Sequence, residues 1–140
     1  EKIGKIISSN RIEPYVKLIG HIPNQNLPQY YNMADLYVST SLSDGTSLSL
    51  LEAMSCGLPV LLTDVPSNLE WVEDGKNGWI AERGNVASIS SKLTEALCSN
   101  KLKEFGVLNR RIAEKRIDIK INYNKLASIY RELYSKHLAK

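Results

Sequence analysis

This sequence predicts an α/β fold, a mainly parallel sheet flanked by helices with further helices appended at the C-terminal end. Three observations predict it. Short strand-type runs alternate with helical stripes from Tyr15 to Ala81, the pattern of consecutive strand–helix–strand units. Pro59-Val60-Leu61-Leu62-Thr63 is a continuous apolar run, as a strand covered on both faces requires. Beyond Val86 every apolar stripe has helical spacing. Over 140 residues, 43% hydrophobic and 24% charged residues exclude a disordered tail, a collagen-like chain and a coiled coil. No apolar run approaches the length of a membrane span.

Taken in order, Tyr15–Ile19 reads as a strand closed by Gly20, and Pro23 then forces a loop. Leu27, Tyr30, Tyr31 and Ala34 recur at helical spacing, with Pro28 at the entry. Leu36–Val38 is a second strand. Ser39–Ser47 is a loop by its Ser, Thr, Asp and Gly content. Leu48, Leu51 and Met54 mark a helix face that ends at Gly57. The strand at Pro59–Thr63 is followed by Ser67-Asn68-Leu69-Glu70, the pattern of a capping box opening a short helix. Asp74-Gly75-Lys76-Asn77-Gly78 is a turn, and Trp79-Ile80-Ala81 a strand, which makes about four strands in all. Three helical stripes close the chain: Val86 to Leu97, Leu102 to Ile112 and Leu126 to Tyr134.

Two cysteines, Cys56 and Cys98, are too few for a disulfide framework or a zinc site, so a reducing, cytoplasmic setting is expected. The net charge of +3 hides an asymmetry: no Lys or Arg occurs between Leu18 and Gly75, whereas the segment from Lys101 onward is strongly basic. That tail reads as a pair of solvated helices or as a surface for acidic lipid headgroups, a peripheral membrane contact. No aromatic RNA-binding motif or zinc-finger spacing points to nucleic acid.

The chemistry converges on Ser43 to Val60. A strand runs into a loop of small residues and then a helix, and in open α/β sheets ligands bind beyond the carboxyl ends of strands. The helix N-terminus suits a phosphate, and Gly45 lets the backbone approach it closely. With no cation in this stretch, a diphosphate here relies on backbone amides, the helix dipole and the hydroxyls of Thr46 and Ser47. Asp44, in the loop, and Glu52, about one turn into the helix, are poor phosphate ligands but good acceptors of hydroxyl hydrogen bonds from a sugar and a ribose. A plainer reading is open for both: Ser49-Leu50-Leu51-Glu52 fits a capping box, and Asp44 suits an Asx-turn.

The run Asp44–Val60 resembles the signature of the retaining, nucleotide-sugar-dependent glycosyltransferases of family four, which have the two-domain GT-B fold. That signature is two Glu residues separated by seven positions, followed by Ala-Met-Ala-x-Gly-x-Pro-Val. Asp44 and Glu52 stand at the acidic positions, and Ala53-Met54-Ser55-Cys56-Gly57-Leu58-Pro59-Val60 matches nearly throughout. Val16–Pro23, Leu27–Asp35, Glu70–Gly78 and Asn122–Leu133 resemble further segments of the family in the same order.

The resemblance implies one Rossmann-like half of a GT-B fold, with residues 1–140 as the nucleotide-sugar donor-binding domain. It implies that the family's first strand–helix unit, with its phosphate-binding cations, and the N-terminal acceptor domain lie outside this chain. By the same resemblance, Glu52 accepts the donor's ribose hydroxyls and Asp44, catalytic, touches the transferred sugar. The backbone of Gly45, Thr46, Ser47 and Leu48 holds sugar and diphosphate, and the backbone of His21 and Ile22 lies beside the base. Asp44 stands where the family usually has Glu, about one methylene shorter. The implied reaction moves a hexose from a UDP- or GDP-type donor to an acceptor hydroxyl with retention, in polysaccharide or glycolipid biosynthesis. The chain alone is expected to be inactive. No Asp-x-Asp motif is present, so neither metal nor other cofactor is expected. Two other readings stand beside it. The first is a non-catalytic nucleotide-sugar-binding or regulatory module of the same fold. The second is a docking piece resting on the basic tail.

Overall fold

The computed structural model describes residues 2–138. Three strands, β1 (Tyr37–Ser39), β2 (Val60–Thr63) and β3 (Gly78–Ala81), form one parallel sheet in that order. Tyr37 lies opposite Val60, and Val60 opposite Gly78. Around them lie α1 (Lys2–Ser9), α2 (Leu27–Asn32), α3 (Leu48–Ser55), the short α4 (Pro66–Leu69), α5 (Val86–Cys98), α6 (Leu102–Arg116) and α7 (Ile119–Leu138). A 3₁₀ turn, Asn24–Asn26, leads into α2.

Every residue of central β2 is buried, and its alternation feeds two cores. Val60 and Leu62 pack with Leu50 and Met54 of α3, Val72 and Ala113. Leu61 packs on the other face with Trp79, Ala96 and Phe105. There the Trp79 and Phe105 rings sit tilted with centroids 4.8 Å apart, in the range where aromatic pairs add to area burial. Each fully buried large side chain contributes roughly 1.5–3 kcal/mol, and β2 is the element both layers share.

The C-terminal end of α3 is built by sequence. Gly57 has φ +76°, the left-handed conformation that glycine adopts without cost. The Leu58 amide donates to the Ala53 carbonyl and the Gly57 amide to that of Met54, both at 3.0 Å, which is the Schellman closure of a helix. The chain then turns directly into Pro59 and β2.

The structure corrects two expectations about these elements. Tyr15–Ile19 is not a strand, so the sheet has three strands and not four. Tyr15 is 87% and Leu18 64% exposed, and no strand among the described residues pairs with them. A short apolar run gives a segment the capacity to pair, but a ladder forms only against a free edge alongside. Ser67–Glu70 forms no capping box. The helix begins two residues earlier than that box requires, at Pro66, with Val65 as its N-cap, and the Ser67 hydroxyl donates elsewhere. Proline at the first helical position starts the helix without a side-chain cap. The third helical stripe forms a helix as expected, but Leu126, Tyr130, Leu133 and Tyr134 are exposed. The sequence reading also passed over α1, where Ile7 is buried and Ile3 and Ile6 are exposed.

Candidate functional site

The loop from β1 to α3 leaves the sheet at its carboxyl end, and two hydroxyls fasten its backbone. Thr63 Oγ1 donates to the Ser41 carbonyl at 2.6 Å. Ser67 Oγ donates to the Asp44 carbonyl at 2.9 Å. Both donors come from the far end of β2 and from α4, so the loop is held from its β2 side. Its carbonyls are engaged while Gly45 and Thr46 stay exposed. The Asp44 side chain is exposed and makes no hydrogen bond among the described residues, so it starts no Asx-turn.

Ser47 is the N-cap of α3, with extended backbone and no side-chain capping bond. Its Oγ bonds instead to Ser49 Oγ at 2.8 Å, and Ser49 Oγ shares a 2.7 Å hydrogen bond with the Tyr37 hydroxyl. The first backbone bond of the helix is from the Leu51 amide to the Ser47 carbonyl. The amides of Leu48, Ser49 and Leu50 therefore have no partner among the described residues. These are the orphan donors of a helix end, and they carry the positive end of its dipole. Leu48 is 75% exposed at this end.

Glu52 is half-buried in the second turn of α3. The Ser49–Glu52 capping box is not formed, because the N-cap lies at Ser47 and places Glu52 too far along the helix to reach back. Its Oε2 accepts a 3.0 Å hydrogen bond from the Tyr31 hydroxyl of α2. Burial first, and then the hydrogen bond and charge of Glu52, push the Tyr31 phenol well above its ordinary value, so it stays a proton donor.

Glu52 lines a cleft of about 280 Å³ between α3 and the segment entering α2. Leu48, Leu51, Ser55 and Cys56 form the α3 wall; Asn24, Leu27 and Pro28 face them, and Ile117 closes one side. Burial pushes the Cys56 thiol up, against the opposing pull of Arg110. A wider groove of about 590 Å³ follows the outer face of α6 past Lys103, Val107 and Arg111. It involves neither the β1–α3 loop nor Glu52.

Of the residues expected from sequence, Leu48 and Glu52 share the cleft. Asp44, Gly45, Thr46 and Ser47 form the loop and helix entry beside it. Exposed His21 and half-buried Ile22 precede Asn24 in the chain and do not line it. Sequence reasoning missed Tyr31, Tyr37, Thr63 and Ser67 as partners of the site. For Tyr31 the only signal was a phenol within a helical apolar stripe. Among the described residues no three His, Cys, Asp or Glu side chains cluster as metal ligands would, and no helix is long and apolar enough to cross a membrane.

Residues 1–112 match the sequence family described as glycosyl transferases group 1. The O-antigen chain mannosyltransferase B of Escherichia coli is 32% identical over 102 residues, 73% of this chain and 26% of that protein. Sucrose-phosphate synthase from Thermosynechococcus elongatus has the same fold over 96% of this chain and 34% of its own, with a TM-score of 0.90 and 20% identity. The pneumococcal O-GlcNAc transferase GtfA, solved in complex with UDP and GlcNAc, superposes over 94% of this chain and 27% of its own, with a TM-score of 0.80 and 27% identity. The chain thus spans about a quarter to a third of the length of these three proteins.

Proposed function

The chain belongs to the glycosyl transferases of group 1, and from that premise we propose that it binds the nucleoside diphosphate sugar of a retaining glycosyltransferase. The observation that carries this reading is the half-buried Glu52 carboxylate on the wall of a cleft, in the second turn of a helix whose N-terminal amides have no partner among the described residues.

In this reading Glu52 accepts the ribose hydroxyls. The α3 amides, with Gly45 and the hydroxyls of Thr46 and Ser47, take the diphosphate, and Asp44 reaches the hydroxyls of the transferred sugar. The base lies against the backbone of His21 and Ile22. When the bond from the anomeric carbon to the diphosphate breaks, the electron pair stays on the phosphate oxygen, and donors preorganised at the helix end favour that charge. No metal or other cofactor enters this scheme. The span of the chain relative to its relatives supports assigning acceptor binding to a further N-terminal domain and leaving the 140 residues inactive alone. The place of action is then the cytoplasm, at soluble or membrane-bound acceptors.

The test is thermal melting against UDP, GDP and ADP, free and as sugar conjugates. A ligand at about 100 times its dissociation constant stabilises by about 2.7 kcal/mol, a shift of several degrees at this size. Stabilisation by one nucleotide, lost in Glu52→Ala, is the expected result. Melting indifferent to all three in the full-length protein would overturn the reading. A second reading, a binding module without catalysis, is favoured by the exposed Asp44, whose side chain has no partner among the described residues and a shorter reach than Glu. Full-length Asp44→Ala would lose transfer under the first reading and keep nucleotide binding under both.

A further inference from the structure

We infer that Tyr31 is a positioning residue for Glu52, aiming its carboxylate so that it receives both hydroxyls of the donor ribose. The inference rests on the ribose reading above and deepens it.

The Tyr31 hydroxyl is the protein partner of the Glu52 carboxylate among the described residues, at 3.0 Å to Oε2. The bond crosses between two helices, so it does not belong to the packing of either alone. Its donor is itself fixed. The half-buried Tyr31 ring lies 6.4 Å from that of Tyr37, tilted by 56°. Tyr37, on β1, shares a hydrogen bond between its hydroxyl and that of Ser49. Ser49 and Glu52 are three apart on α3 and therefore share a helix face. Two neighbouring tyrosines thus engage successive turns of the helix, one at a hydroxyl and one at the carboxylate.

The stoichiometry of acceptors suits a diol. An ionised carboxylate has about four lone-pair sites. Tyr31 occupies one on Oε2, which leaves Oε1 and the rest of Oε2 for two ribose hydroxyls. A freely rotating glutamate would have to give up side-chain freedom on binding, and the phenol removes part of that cost beforehand.

The experiment separates this role from ordinary packing. Tyr31→Phe keeps the ring against Tyr37 and removes only the oxygen. In the full-length protein, the affinity for whichever of UDP, GDP and ADP binds is compared with that for its 2′,3′-dideoxy counterpart, and the ratio measures what the ribose hydroxyls contribute. The ratio should collapse toward one in Glu52→Ala. In Tyr31→Phe it should fall by about three- to tenfold, the range of one hydrogen bond, while affinity for the dideoxy nucleotide stays that of wild type. A wild-type ratio retained in Tyr31→Phe would overturn the positioning role and leave the ribose reading standing. Equal loss for both nucleotides would make Tyr31 a packing residue and overturn it too. A wild-type ratio of one, or no binding of any of the three, would overturn the ribose reading and this inference with it.

Discussion

Gly106 of α6 rests directly on Gly57 at the end of α3: a Cβ built on Gly106 would lie 2.2 Å from the Gly57 carbonyl oxygen. No real side chain tolerates that separation, so the two helices meet backbone to backbone. Gly106→Ala must push α6 away from α3 and should destabilise the fold by about 1–3 kcal/mol, the usual cost of overpacking a tight site. Gly57→Ala faces a different obstacle. The space beside it is ordinary, with the nearest atom 3.7 Å away, but its φ of +76° costs a residue with a Cβ about 1–2 kcal/mol. Chemical denaturation of both variants checks the pair.

Asn109 of α6 is fully buried, and its amide donates to the Leu58 carbonyl at 2.8 Å. Its oxygen accepts from Asn77 at 2.9 Å, and Asn77 also closes the turn before β3 through Glu73 and Trp71. Asn109→Leu keeps the volume but leaves the Leu58 carbonyl and one N–H of the Asn77 amide without partners inside the core. The expected loss is about 2–6 kcal/mol, from one to three for each of the two buried groups left unsatisfied. Asn77→Leu should cost a similar amount, and the double variant less than the sum, because the two share one hydrogen bond. Urea unfolding of the three variants measures that coupling.

The raised Tyr31 phenol implies a pH dependence with a definite sign. Burial and the Glu52 carboxylate favour the neutral form in the folded chain. The folded state therefore keeps a proton that the unfolded state releases near the ordinary tyrosine value of about 10. Its contribution is whole below that pH and is lost as pH rises toward the higher folded-state value. Melting temperatures from about pH 8 to about pH 11 should fall more steeply in wild type than in Tyr31→Phe. Parallel curves would show that the phenol is not held as described.

The core of the site was legible because it depends on local rules. Gly57 announces the end of α3, and Pro59–Thr63 can be a two-faced buried strand and little else. What escaped were relationships between distant segments. Nothing in the order of residues says that Tyr31 will meet Glu52 or Ser67 the carbonyl of Asp44, since a hydroxyl has many acceptors and only packing chooses one. Both capping boxes failed for a related reason. The pattern Ser-x-x-Glu states that a cap can form at that residue, and the helix in each case began elsewhere. Tyr15–Ile19 shows the same limit for strands, where an apolar run is local and pairing is not. The stripe of α7 was read correctly as a helix face, but what that face covers lies beyond its own sequence.

The stretch from Leu18 to Gly75 carries no Lys or Arg, and the N-terminal amides of α3 lie within it. A grip of this kind rests on fixed dipoles and hydroxyls rather than on mobile full charges. It has few counterions of its own to shed when an anion arrives, and ionic strength has little purchase on it. A diphosphate bound to these 140 residues alone should therefore change its affinity only modestly between about 50 and 500 mM salt, whereas the full-length protein, with the phosphate-binding cations of the first strand–helix unit, should lose more. Titration across that range reads the character of the grip directly.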